Sequence, residues 1–108
     1  MRELMEKLYE EMFAPKITPY ELVNNAKLDN YEYVNMYKKG DFLFVESSCR
    51  LSTGEKAKFF YKFDQNDHLL SLTSIINNNI NIEYDRETEI NKLKKQLSKM
   101  ISAQPVAV

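Results

Sequence analysis

Between residues 31 and 85 the chain alternates apolar and polar side chains in five stretches, and only three to five residues separate one stretch from the next. Connections that short join antiparallel neighbours, because a parallel pair needs a crossover of about a dozen residues or more. The sequence therefore predicts a β-meander with strands at 31–38, 42–50, 56–63, 68–76 and 80–85. Strand parity tests each junction, since a slip of one residue moves every side chain to the other face.

The loop Ser52-Thr53-Gly54 ends on glycine, which suits the left-handed last position of a three-residue hairpin loop. It pairs Val45 with Tyr61, Leu43 with Phe63 and Cys49 with Ala57. A two-residue turn at Lys39-Gly40 pairs Met36 with Leu43, Val34 with Val45, and Lys38 with Asp41. With Asp64-Gln65-Asn66-Asp67 as a loop, Tyr61 falls opposite Leu70 and Phe59 opposite Leu72. A three-residue loop Asn77-Asn78-Asn79 sets Ile76 opposite Ile80 and Leu72 opposite Tyr84, asparagine tolerating the left-handed backbone required. The four junctions agree on one apolar face: Val34, Met36, Leu43, Val45, Cys49, Ala57, Phe59, Tyr61, Phe63, Leu70, Leu72, Ile76, Ile80, Ile82 and Tyr84. That face is the expected core.

Helical spacing flanks the strands. In 2–13, Leu4, Met5, Leu8 and Met12 share a face, and Pro15 should end the segment. A shorter helix should start at Thr18, with Pro19 in its first position and Glu21 completing a capping box. A closing helix spans 86–101, capped by Asp85, with Ile90, Leu93, Leu97, Met100 and Ile101 as its apolar stripe. The expected fold is α+β: an antiparallel five-stranded meander with the N-terminal and C-terminal helices packed on one face. At 108 residues it forms one domain, 1–101, with a flexible tail at 102–108.

The opposite face of the sheet is the candidate site. It should carry Tyr31, Tyr33, Tyr37, Phe42, Phe44 and Phe60, with Glu46, Lys58 and Lys62 among the rings. In the expected register Tyr33 lies opposite Glu46 and Tyr37 opposite Phe42. Several packed rings can exceed the ~300–600 Å² of the largest apolar patch on an ordinary monomer. Interfaces are enriched in tyrosine and phenylalanine, with charge at the rim. Three readings compete: the chain's own helices cover the rings, a homodimer or protein partner does, or the rings line a small-ligand cup around Glu46 that could serve a weak enzyme.

Composition narrows the function classes. Fifteen basic residues nearly balance sixteen acidic ones, for a net charge of −1, without the basic excess of a nucleic-acid binder. The single Cys49 and the single His68 leave no internal disulfide and no Cys/His metal cluster. Parity buries Cys49, and His68 reads as a turn histidine with a satisfied hydrogen bond. Asp64-Gln65-Asn66-Asp67 begins like a calcium loop, but Leu69 stands at the sixth position where glycine belongs, and Ile75 at the twelfth where glutamate belongs. No cofactor, metal or membrane contact is expected. No basic region followed by an apolar run opens the chain, so the expected compartment is the cytoplasm. Heavy use of lysine, asparagine and isoleucine fits an AT-rich bacterial or phage genome. The leading expectation is a non-enzymatic protein–protein interaction or regulatory protein, of which a phage-borne inhibitor of a host enzyme is one form.

Overall fold

The computed structural model describes residues 1–13 and 16–103. In chain order these form α1 (Arg2–Phe13), α2 (Pro19–Asn25), β1 (Tyr31–Lys39), β2 (Phe42–Arg50), β3 (Lys56–Phe63), β4 (Leu69–Ile76), β5 (Asn79–Asp85) and α3 (Arg86–Ala103). The strands make one antiparallel sheet in sequence order, so the α+β meander read from the sequence is the observed fold. Pro15 and residues 104–108 of the expected tail lie outside the described residues, while Ser102 and Ala103 belong to α3.

The β2–β3 hairpin forms as the sequence predicts. Val45 faces Tyr61, Leu43 faces Phe63 and Cys49 faces Ala57. Gly54 takes a φ of 89°, the left-handed backbone that the loop needs.

The other three junctions differ, each for a local reason. Between β1 and β2 the turn is Gly40-Asp41, with Gly40 at φ 61° in its first central position, where glycine is at home in a type II′ turn. This moves the register by two residues: Met36 faces Val45, and Lys38 faces Leu43 rather than Asp41. Faces are kept because the shift is even. At the start of β1 a bulge at Glu32 turns Tyr31 toward the core face, opposite Cys49.

The β3–β4 loop is one residue tighter than expected. The Asp64 carboxylate accepts the backbone N–H groups of Asn66 at 2.8 Å and His68 at 2.9 Å, and Asp67 takes the left-handed conformation. A bulge at Leu70 follows, so Leu69 enters the core opposite Phe63 and Leu70 does not. Tyr61 then faces Leu72, and Phe59 faces Ser74.

Between β4 and β5 the turn has two residues. Asn77 and Asn78 both have positive φ, 52° and 64°, as a type I′ turn requires. The odd change in loop length sends Ile80 and Ile82 to the second face, opposite Ile75 and Thr73, correcting their expected place in the core. A bulge at Glu83 restores the expected pairing of Leu72 with Tyr84.

The core is small and sits under α2. Leu22 drops from α2, fully buried, onto Val45, Tyr61, Phe63 and Leu69, with Ile17, Val34 and Met36 around them. Pro19 opens α2 as predicted, but the Thr18 side chain makes no capping hydrogen bond, so no capping box forms. Thr88 N–H donates to the Asp85 carboxylate at 3.0 Å, the cap expected for α3.

The terminal helices pack chiefly on each other. α3 touches the sheet at β4 and β5, and α1 lies along α3. The Arg86 guanidinium at the start of α3 donates to the carbonyls of Glu11 and Met12 at the end of α1, so the two helices run antiparallel. The molecule measures 63 × 31 × 21 Å, longer than a sheet with both helices laid across it would be. No helix among the described residues is long and apolar enough to cross a membrane.

Candidate functional site: the second face of the sheet

Cross-strand pairing arranges the second face in three rows. One runs Tyr33, Ser48, Lys58, Ile75, Ile80 across all five strands. The next runs Asn35, Glu46, Phe60, Thr73, Ile82. The third holds Tyr37, Phe44, Lys62 and Ser71. Phe42 sits beyond this row, opposite Lys39 at the end of the hairpin.

Eight of the nine residues expected on this face are brought together there: Tyr33, Tyr37, Phe42, Phe44, Glu46, Lys58, Phe60 and Lys62. Tyr31 is the exception, because the Glu32 bulge reverses its side. Ile80 and Ile82 belong to the face and were missed. They are also its most exposed apolar members, at 70% and 79%. Reading Asn77-Asn78 as a two-residue type I′ turn is the signal that would have placed them.

The aromatic end is ordered by ring contacts. Tyr37 and Phe44 stack across β1 and β2 with centroids 5.4 Å apart and planes 13° apart. The Lys62 ammonium lies 4.2 Å from the Phe42 centroid and 5.9 Å from that of Phe44, so its charge sits on ring faces. Toward the middle, the Tyr33 hydroxyl donates to Glu46 Oε2 at 2.6 Å. This is a diagonal contact, since Tyr33 faces Ser48 in the ladder. The bond to Glu46 pushes the Tyr33 phenol above its ordinary value, with burial adding to it. At the far corner Lys56 reaches the bulged Glu32 at 3.1 Å.

The face carries Lys58 and Lys62 on its central strand β3, with the exposed apolar side chains toward the edge strands, Tyr37 on β1 and Ile80 and Ile82 on β5. Arg50, Lys56, Lys58 and Lys62 face three carboxylates there, Glu32, Glu46 and Asp85. Glu46, the candidate base of a ligand cup, already accepts the Tyr33 hydroxyl.

The two residues with chemistry elsewhere are held in structural roles. Cys49 is buried, and burial pushes its thiol above the ordinary value. His68 Nδ1 lies 3.2 Å from Asp64 Oδ2, and Nε2 lies 3.3 Å from the Phe13 carbonyl, so the ring ties the β3–β4 loop to the end of α1. Among the described residues no three His, Cys, Asp or Glu side chains gather as a metal site.

No family model, curated protein or solved structure gives a significant match to this chain.

Proposed function

We propose that this chain is a non-enzymatic interaction or regulatory protein of the cytoplasm that binds another protein on the second face of its sheet. The observation that supports this reading is the exposure of that face. α2 occupies the opposite face, while Tyr37, Ile80 and Ile82 stand out in water. Isolated apolar residues on a surface need no explanation, but a ring stack and two neighbouring exposed isoleucines on one sheet face mark an interaction surface.

The lysines of the central strand favour a partner over a second copy at this place. Two copies meeting face to face would set lysines against lysines, which opposes association. The partner that fits presents aspartate or glutamate to Lys58 and Lys62 and apolar side chains to either side of them.

The test is a double substitution, Phe44→Ser with Phe60→Ser, checked for an intact fold by circular dichroism. Proteins captured specifically by the wild-type chain, from a lysate of the cells that make it, should be lost with the double variant. Equal capture by the two would contradict the reading.

A further inference from the structure

We propose that two copies of this chain pair edge to edge, β5 against β5, extending the sheet to ten antiparallel strands across a two-fold axis beside Asn81. The second faces end on the same side of the joined sheet and stay open, so the test does not depend on that face binding anything.

β5 ends the sheet, and its outer side is bare. Asn79, Ile80, Asn81, Ile82 and Glu83 are all exposed. An edge strand leaves a row of N–H and C=O groups unpaired, and proteins normally guard it with lysine, proline, a bulge or a covering element. β1, the other edge, is guarded in that way: Glu32 is bulged, Lys38 and Lys39 close the strand, and α2 lies beside it. Residues 79–82 of β5 have none of these guards. α3 starts directly at the far end of the strand and leans back over the sheet, where Ile90 shares a cleft with Ser71 and Lys62.

The turn fixes which backbone groups point outward. The residues flanking a two-residue hairpin turn bond to each other, so Asn79 bonds Ile76. Bonded and unbonded pairs then alternate along the ladder. Asn81 bonds Ser74, its partner in the ladder, and the N–H and C=O groups of Ile80 and Ile82 point away from the sheet.

These outward groups match a second copy of themselves. A two-fold beside Asn81 sets Ile80 opposite Ile82 of the other copy, Asn81 opposite Asn81, and Asn79 opposite Glu83. Each pairing of Ile80 with Ile82 exchanges both main-chain bonds, four in all. The sequence suits that register, because Asn-Ile-Asn-Ile-Glu alternates polar residues and isoleucine symmetrically about Asn81. An axis at Ile80 would set Ile82 against the turn residue Asn78, and an axis at Ile82 would carry Ile80 past the Glu83 bulge. In the central register Ile75, Ile80 and Ile82 of both copies become one apolar cluster in the middle of the joined face.

Charge does not oppose the contact. Residues 79–82 carry none, and Glu83 turns back toward the sheet, its carboxylate accepting the Ser74 hydroxyl at 2.7 Å. The lysines of β3 lie five strand spacings from those of the copy, roughly 24 Å, beyond the ~8 Å screening length at physiological salt.

The contact is small, below the ~1,200 Å² of stable complexes, so it should be reversible. Light scattering on the full chain should give a mass that rises with concentration from 12.8 kDa toward twice that value. A chain that stays single at its highest attainable concentration overturns the proposal. Ile80→Lys with Ile82→Lys should abolish the rise, since like charges then meet across the axis. Ile80→Lys with Ile82→Glu changes the same two positions but sets opposite charges across it, and should retain the dimer. Equal loss in the two variants overturns the proposal.

Cysteine cross-linking reads the register. Directly opposed residues of an unbonded antiparallel pair lie ~4.5 Å apart at Cα, within the about 4.4–6.8 Å that a disulfide spans. Asn81→Cys should therefore give a covalent dimer under mild oxidation, the native Cys49 being buried. Asn79→Cys, roughly 14 Å from its copy, should not. No cross-link with the first variant, or an equal one with the second, overturns the proposal.

Discussion

Tyr37 stacks on Phe44 across the first two strands, on the side of the sheet opposite the fully buried Phe63. The two settings give aromatic residues different energetic roles. Phe63 sits among Leu22, Val45, Tyr61 and Leu69, so Phe63→Ala should cost ~3–5 kcal/mol through lost burial and a cavity. Tyr37→Ala removes one partner of an exposed stack and should cost ~0.5–1.5 kcal/mol. Urea unfolding of the two variants measures the difference.

The turn between β4 and β5 rests on two asparagines in left-handed backbone. Asn78→Gly should be neutral or stabilise by ~0.5 kcal/mol, since glycine adopts that backbone without strain. Asn78→Ala should destabilise by ~1 kcal/mol. A larger loss in the glycine variant than in the alanine variant would contradict the turn assignment.

Acid should loosen the end of α1 and the β3–β4 loop. Burial alone would raise the Glu11 carboxyl. The bonds from Lys16 and the Tyr84 hydroxyl outweigh it, and the net shift is below the ordinary 4.5. Burial likewise opposes ionisation of Asp64, but the backbone N–H groups of His68 and Asn66 and the His68 ring bring it below 3.8. A carboxyl with a lower pKa folded than unfolded contributes stability that is complete above its unfolded value and lost as pH falls through the folded one. Melting temperature should therefore fall between about pH 5 and pH 3, and Glu11→Gln should flatten that limb of the curve.

The thiol of Cys49 is buried, and its raised pKa keeps it protonated near neutrality. A thiol reagent should modify the native protein slowly and completely once denaturant unfolds it. Rapid modification of the native chain would place Cys49 outside the core.

The strands and helices were legible because the alternation of residues 31–85 and the helical stripes on either side are each stronger than any local exception. The face of β2 and β3 was legible because Gly54 fixes one loop length. The missing information was the places where one residue is added or dropped. The bulges at Glu32, Leu70 and Glu83 fall on residue types that do not mark a bulge in the sequence. Asn77-Asn78-Asn79 offers two loop lengths with the same chemistry, and the shorter one puts Ile80 and Ile82 in water. The candidate face was therefore placed as expected across β2 and β3, missed Tyr31 on β1, and was incomplete at β5. That α1 packs along α3 rather than on the sheet was not legible. Apolar stripes on α1 and α3 say that each helix packs on something, and they do so equally whether that is the sheet or the other helix.

Hydroxyl-radical footprinting, read residue by residue on the purified chain and on the chain with its captured partner, tests the sheet face most directly. Tyr37, Ile80 and Ile82 should be heavily oxidised in the purified chain and shielded in the complex, with Phe63 unmodified in both. Shielding of all three in the purified chain, or full oxidation of all three in the complex, would contradict the account.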